Sequence, residues 1–428
     1  MPGLTLSSHD GRIGTTSLPF DAMRVLFVSP SAGLGGAERA LVEGCRALLT
    51  VAPDWPLGLI ALEDGPLIAE AQSLGVEASV LPLPQQFAAT GEWGRRRLAT
   101  WLRLASSGRA AVGYSRRLRE AIGRFGPDVV HSNGIKTHVL AAWAIGGRLP
   151  LVWHVHDYLS SRRASAPLLR LHRRQVALVL TNSESVKADV VRVLGRHVRI
   201  QTVYNAVDVD RFSPEGSRID LDAAAGLPPA PPETLRVGLV ATFARWKGHE
   251  VFLRALAGVP ERPAVRGYVI GGPVYRTGSA SQVTLGELTA LALALGLGDR
   301  VGFTGLLADS SEAMRALDVV VHASTAPEPF GLSIAEAMAC GRAVVISEAG
   351  GALEVGDPER TCLAAPPGDV LALTRQIGRL LDDKGLRERL GREAAADVRT
   401  RFTHHKMGEA LGAAYRSIAG RPTESAPA

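Results

Sequence analysis

Short apolar runs that each lead through a turn into a stretch of helical periodicity recur along this chain, and that alternation narrows its fold more than any other feature. Arg24-Val-Leu-Phe-Val-Ser29 is a run of strand type; after a turn carrying Gly33, Gly35 and Gly36, apolar residues from Glu38 to Leu49 fall at helical spacing. The unit recurs at Pro127 to Ser132 before a helix near Val139, at Leu149 to His154, and at Ala177 to Asn182 ahead of a helix from Ser183 to Leu194. Parallel neighbours are reached only through a crossover, so this alternation predicts a parallel, doubly wound sheet. Between Asn205 and Arg236 the pattern lapses into Ser213-Pro-Glu-Gly216 and Gly226-Leu-Pro-Pro-Ala-Pro-Pro232. It restarts at Leu235 to Ala241, Gly267 to Gly271, Arg300 to Thr304, Val319 to Ala323 and Ala343 to Ser347. One hydrophobic core rarely grows past about 250 to 300 residues, and this chain has 428.

The expected organisation is therefore an extension over 1–22, an N-terminal Rossmann-like domain over 23–212, a linker over 213–234 and a C-terminal Rossmann-like domain over 235–400. A helix within 401–420 is expected to pack back on the N-terminal domain, and 421–428 reads as a loose tail. No apolar run approaches the ~18 residues of a membrane-spanning helix, and residues 1–22 lack the apolar centre of a secretory signal. The cysteines, Cys45, Cys340 and Cys362, are odd in number and widely spaced, which suggests neither a disulfide framework nor a zinc site. A cytoplasmic protein is expected. The net charge of +6 admits phosphorylated substrates or an anionic membrane; with 5% aromatic residues and no recognisable nucleic-acid module, no nucleic-acid partner is expected.

The sharpest local signal is Glu328-Pro-Phe-Gly-Leu-Ser-Ile-Ala-Glu336, where an apolar strand ending near Ala323 gives way to a helix closed by Gly341. Amides around Phe330, Gly331 and Leu332 at a helix start present donors and partial positive charge to an anion such as a diphosphate. Glu336 has two readings: an acceptor for a diol, as in dinucleotide-binding folds, or half of a capping box with Ser333. Glu328, outside the C-terminal end of a parallel strand, lies where open α/β sheets bind ligands.

The spacing of the two glutamates in Glu-Pro-Phe-Gly-Leu-x-x-x-Glu-Ala-Met-Ala-Cys-Gly resembles the signature of family-4 retaining glycosyltransferases of the GT-B fold, in which two Rossmann-like doubly wound domains face a central cleft. Other landmarks follow in order from about Met23 to Ile418: Gly35-Gly-Ala-Glu38, Asp128-Val-Val-His131, His154-Val-His156-Asp157, Thr181-Asn-Ser183, Tyr204-Asn-Ala-Val-Asp208 with Arg211-Phe212, Arg245-Trp-Lys247-Gly248, and Gly271-Gly272. The resemblance implies a nucleoside-diphosphate sugar held by the C-terminal half and a hydroxyl acceptor held by the N-terminal half. It implies Lys247 on the diphosphate, Glu328 on donor-sugar hydroxyls, Glu336 on the ribose, and the Phe330 to Leu332 backbone on sugar and phosphate. Gly272 lies among the donor-binding landmarks, Gly35 and Gly36 would let backbone approach the phosphate, and His156 would border the reacting carbon. His154, two residues earlier, shares its strand face. No metal or other cofactor is implied; Asp208-Val-Asp210 matches a metal-binding string of a different fold and is discounted. The family commonly carries Gly-Arg where this chain has Ala241-Thr242, and Arg245 is the candidate replacement for that cation.

Arginines crowd between Trp93 and Phe125 and again from Arg162 to Arg174, with leucines and tryptophans between them. Three readings stay open: a solvated helical face, a surface lying peripherally on anionic lipid at the inner face of the membrane near a lipid-linked acceptor, and a site for a phosphorylated acceptor. The rival functions are a GT-B-type sugar-nucleotide epimerase and a non-catalytic nucleotide-sugar-binding scaffold; a nicotinamide-dependent oxidoreductase lacks its glycine fingerprint.

Overall fold

The computed structural model describes residues 22–84, 108–162, 164–260, 264–273 and 281–419. Residues 1–21 of the extension expected over 1–22, residues 93–107 of the basic stretch over 93–125 and the tail over 421–428 lie outside the described residues. Two wholly parallel sheets form among those described. The first contains β1 (Val25–Ser29), β2 (Leu57–Ala61), β3 (Glu77–Val80), β4 (Val129–Ser132), β5 (Leu151–Val155), β6 (Leu178–Thr181) and β7 (Ile200–Thr202), in the order β3-β2-β1-β4-β5-β6-β7. The second contains β8 (Leu235–Val240), β9 (Val265–Ile270), β10 (Val301–Gly305), β11 (Val319–Val321), β12 (Ala343–Ser347) and β13 (Leu363–Ala365), in the order β10-β9-β8-β11-β12-β13.

The apolar runs are continuous because helices cover both faces of each sheet. Every residue of β1, β2, β4, β5 and β6 is buried, whereas the edge strand β3 alternates between exposed and half-buried. Alternation sends Val25, Phe27, Leu59 and Val152 to one face of the first sheet and Leu26, Val28, Ile60 and Trp153 to the other. The second sheet divides likewise, with Val237, Val269 and Val345 opposite Tyr268, Val344 and Ile346. Each such side chain contributes about 1.5–3 kcal/mol by burial.

In each sheet the strand order reverses once, between β1 and β4 and between β8 and β11. Helices leave to opposite faces there, which opens a crevice outside the carboxyl ends of the strands. The sequence motifs lie beside these two points.

The chain passes between the halves twice. Residues after β7 run to β8, where Asp222 accepts from the Tyr268 hydroxyl at 2.6 Å and from Arg266 at 2.6 Å and so pins the linker to the second sheet. After the helix Lys384–Arg401 the chain returns, and the helix His404–Arg416 buries Met407, Leu411, Ala414 and Tyr415 in the core of the first domain. Its approach to the helix Gly36–Val51 is backbone-close: a Cβ on Gly408 would lie 2.1 Å from the Ala47 carbonyl oxygen. Beside the return, the Val207 amide donates to the Phe402 carbonyl at 2.8 Å.

Candidate active site

The segment leaving β8 makes one tight turn at Arg245–Lys247 and is closed by Gly248, whose φ of +74° is left-handed. A Cβ there would lie 1.8 Å from the Ala323 carbonyl oxygen, so glycine alone lets this loop touch the segment leaving β11. Thr325 fastens the contact by donating its amide to the Trp246 carbonyl at 2.7 Å. Lys247 is thereby aimed at Glu328, and its Nζ donates to both carboxylate oxygens at 3.0 and 2.8 Å while lying 4.0 Å from the centre of the Trp246 ring.

Glu328 is 7% exposed. Its Oε2 also accepts from His322 Nε2 at 2.8 Å and from the Ser324 hydroxyl at 3.1 Å. The Ser347 amide points at His322 Nδ1 at 3.4 Å, which leaves Nε2 as the protonated nitrogen. Burial pushes the Glu328 carboxyl up, but the Lys247 charge and the His322 hydrogen bond outweigh it and hold the group well below the usual carboxylate range. Lys247 and Glu328 are thus each other's counterion.

The helix Leu332–Ala339 starts on Gly331, which is left-handed at φ +98° and makes no side-chain cap. Ser333 falls inside the first turn, so the capping-box reading of Ser333 and Glu336 is not realised. The Phe330 side chain is core, packed against Tyr204 and Phe402, and only its backbone is available to a ligand. The Glu336 side chain makes no hydrogen bond among the described residues. Burial raises its carboxyl to about 7 against the pull of Arg39 and Arg211, with Glu43 adding to the rise. Arg39 and Glu43 belong to the helix Gly36–Val51, so Glu336 looks across at the N-terminal half.

On that side Gly35 caps the helix Gly36–Val51 with extended backbone, and a Cβ on Gly36 would meet nothing within 4 Å. The turn leaves room for a ligand. A Cβ on Gly35 would lie 2.7 Å from Glu38 Oε2, so the Glu38 carboxylate rests at the same helix start. His154 is buried within β5, whereas His156 follows the end of the strand and is half-buried. Burial lowers the His156 pKa to about 4, so its ring is neutral at pH 7.

Arg245 pairs with Glu287 at 2.5 Å, with both side chains about half exposed. Thr242 is exposed. Gly272 accepts from the Phe243 amide at 3.0 Å and lies against Leu306. The Asp208 carboxylate accepts from the amides of Asp210 and Arg211 at 3.2 and 3.0 Å, the work of a turn. Among the described residues no three His, Cys, Asp or Glu side chains gather as metal ligands.

Sequence reasoning missed His322, Ser324, Tyr158 and Glu354. The first two follow directly on the Val319–Val321 strand, a position that could have marked them. The other two join the halves. The Tyr158 hydroxyl donates to the Glu328 carbonyl at 3.1 Å, and Glu354 accepts from the amides of Glu184 and Ser185 at 2.8 Å each and from the Tyr204 hydroxyl at 3.0 Å. A carboxylate of the second domain therefore caps the helix Glu184–Leu194 of the first.

Two parallel-sheet domains that bring a lysine–glutamate pair and a glycine turn to their strand-order reversals define the arrangement of a GT-B glycosyltransferase. Comparison with known proteins agrees. Residues 34–211 match the family model Glycosyltransferase Family 4, and residues 228–397 match the model Glycosyl transferases group 1. The lipopolysaccharide core biosynthesis mannosyltransferase LpcC of Rhizobium leguminosarum bv. viciae is 32% identical over 61% of this chain and 70% of its own length. The D-inositol 3-phosphate glycosyltransferase of Xylanimonas cellulosilytica is 35% identical, and the match spans 52% of each chain. The solved structure of Anabaena Alr3699/HepE in complex with UDP-glucose superposes with a TM-score of 0.75 at 26% identity, covering 92% of this chain and all of that one. The chain belongs to glycosyltransferase family 4 and is a glycosyltransferase.

Proposed function

We propose that this enzyme moves a sugar, with retention at the anomeric carbon and without a metal, from a nucleoside-diphosphate donor bound by its C-terminal half to a hydroxyl acceptor bound by its N-terminal half. The observation that carries this reading is the Lys247–Glu328 pair at the carboxyl ends of β8 and β11. Lys247 exchanges Glu328 for the diphosphate and supplies positive charge there, while freed Glu328 oxygens accept from sugar hydroxyls. The Gly331 and Leu332 amides add fixed donors toward the leaving phosphate, and Gly35, Gly36, Gly272 and Arg245 border the donor. Glu336 takes the ribose diol, and His156 stands by the reacting carbon. The departing diphosphate takes the proton of the attacking hydroxyl on the same face, so no protein nucleophile is needed. The UDP-glucose bound by the Anabaena structure supports a nucleoside-diphosphate sugar as donor.

The acceptor is a glycan, a lipid-linked glycan or a small hydroxyl compound. Peripheral contact with anionic lipid is supported by Val112, Trp143 and Leu171, exposed at 57%, 38% and 71% on the neighbouring helices Gly108–Phe125, Ile135–Ile145 and Ala166–His172. Exposed Arg116 and Arg117 lie on the first of these helices, and exposed Arg170 and Arg174 lie on and just after the third. No helix among the described residues is long and apolar enough to cross a membrane. Co-sedimentation with anionic but not zwitterionic vesicles checks this contact at the inner membrane face.

The test of the donor site is a thermal-shift screen against nucleoside diphosphates and their sugars with and without EDTA, since a ligand of the native state raises its apparent stability. A chelator-insensitive shift that disappears in Lys247→Ala is expected. A shift that requires added metal would overturn the metal-free reading, and turnover at the normal rate in both Lys247→Ala and Glu328→Gln would overturn the site.

A further inference from the structure

The ring of His156, whose place by the reacting carbon belongs to the function proposed above and is the premise here, has one hydrogen-bonding side chain among the described residues. Its Nε2 lies 2.6 Å from Asn133 Oδ1. Asn133 follows β4 at the reversal of strand order, is 1% exposed, and donates its backbone amide to the Val28 carbonyl of β1 at 2.9 Å. Its Nδ2 donates to the Ala37 carbonyl at 3.0 Å. A carbonyl oxygen only accepts, so the nitrogen of the Asn133 amide must face Ala37 and the oxygen must face the imidazole. That oxygen also only accepts. The proton of neutral His156 therefore sits on Nε2, and Nδ1 keeps its lone pair.

The surroundings preserve this arrangement. Nδ1 of His156 makes no hydrogen bond among the described residues. The other histidines nearby are engaged or enclosed: His131 Nδ1 bonds the Tyr415 hydroxyl at 2.7 Å, and His138 Nδ1 bonds the Ser132 hydroxyl at 2.7 Å while its ring stacks on Trp153. His154 lies with its ring centre 3.9 Å from that of His156, and its buried Nε2 has no partner among the described residues. Burial keeps all of them neutral, so none supplies a proton to His156 at pH 7. Gly134, next to Asn133, has a φ of +155° and packs so closely on Pro30 that a Cβ would lie 2.8 Å from the proline ring, which fixes the backbone from which Asn133 reaches.

We propose that Asn133 is a positioning residue for glycosyl transfer: it locks His156 in the Nε2–H tautomer, so that the ring offers Nδ1 to the cleft as a neutral acceptor for a substrate hydroxyl. A lone pair suits a sugar or acceptor hydroxyl and repels a phosphate oxygen, so His156 recognises the hydroxyl side of the reaction and leaves the diphosphate to Lys247. Because the same amide holds Ala37, the tautomer is mechanically tied to the helix that begins at the glycine turn.

The test uses the full chain with 15N-labelled histidine. In the wild type the His156 resonances should report a protonated Nε2 and a bare Nδ1. Asn133→Leu, which removes the acceptor at similar volume, should lose that single tautomer and lower kcat by about 10- to 100-fold, the range for losing such a supporting partner, with the donor KM unchanged. Asn133→Asp keeps an oxygen facing Nε2–H while losing the bond to Ala37, and should keep the tautomer and regain most of kcat. A protonated Nδ1 in the wild type overturns the inference, as does a changed tautomer in Asn133→Leu with normal kcat. Equal losses in the Leu and Asp variants with matching drops in melting temperature would assign Asn133 to packing instead. Normal turnover in His156→Ala would overturn the premise about His156 itself, whatever tautomer the spectra report.

Discussion

Replacing Lys247 with methionine keeps the length of the side chain and removes its charge, leaving Glu328 buried with His322 and Ser324 as its remaining donors. Removing one partner of a buried ion pair costs about 3–5 kcal/mol because the other charge is left uncompensated. The Lys247 side chain retains 18% exposure and the other two donors stay, so the lower end, about 3 kcal/mol, is expected at pH 7. Glu328→Gln keeps the shape and leaves the lysine able to reach water, so it should cost less, about 1–2 kcal/mol. The pH dependence has a definite sign. A carboxyl held low in the folded state contributes stability that is fully present above its unfolded value of about 4.3 and is lost as pH falls through the folded value. Lys247→Met removes the strongest lowering influence on Glu328, so the gap between wild type and variant should be largest near neutrality and shrink below about pH 4. Urea titrations followed by circular dichroism at several pH values between 3 and 7 measure it, the range bracketing that unfolded value of about 4.3. A Lys247→Met protein within about 0.5 kcal/mol of wild type at pH 7, the scatter expected of an ordinary surface substitution, would refute the reasoning. A gap that stays constant down to pH 3, well below the unfolded value of about 4.3, would do the same.

Glu336, with its carboxyl raised to about 7, should make donor affinity rise with pH through neutrality, because only the ionised group accepts two hydroxyls; calorimetric titrations should show that dependence flattened, and affinity reduced about tenfold, in Glu336→Gln. The same raised carboxyl predicts a stability contribution that declines as pH climbs from about 4.3 to about 7, checked by the difference between wild-type and Glu336→Gln melts. Gly248→Ala must give up a left-handed backbone and push the Ala323 carbonyl aside, and should lose at least about 2 kcal/mol together with all measurable donor binding; a normal thermal shift with nucleotide would contradict it. Glu354→Ala removes charge-assisted bonds of about 1.5–3 kcal/mol from the start of the helix Glu184–Leu194, and hydrogen exchange at Glu184 and Ser185 should accelerate while the second sheet keeps its protection.

Much of the architecture was legible because parallel strands covered on both faces must read as apolar runs. Ala343 to Ser347 was read to the residue, and the run at Val319 differs only in where it ends. Four strands escaped notice: Leu57–Ala61, a fully buried apolar run, was passed over without a physical excuse, and the other three have physical reasons. Glu77–Val80 is a half-exposed edge without an apolar run, while Ile200–Thr202 and Leu363–Ala365 have only three residues apiece. At the site, spacing within one motif led to Glu328, Gly331 and Glu336, and the family resemblance led to Lys247 in the loop after β8. The capping-box ambiguity at Ser333 could not be decided from spacing, since it turned on whether Gly331 or Ser333 begins the helix. His322, Asn133 and Glu354 matter through partners far away in sequence, and no local pattern carries that information.

The return of the last helix to the first domain has a consequence for how the molecule comes into being. Phe27, Leu48 and Val152 share their core with Met407, Leu411 and Tyr415, and the Tyr415 hydroxyl holds His131 beneath the histidine cluster. On a ribosome, domains generally fold as they emerge, amino-terminal first. Here the earlier half must wait with an apolar seam open until residues beyond His404 have left the exit tunnel, whereas every strand of the later sheet lies downstream of the linker, and Val207 and Phe212, which join its core, have already emerged. The domain made first is the one finished last, and it takes its final form only after the second sheet has been assembled.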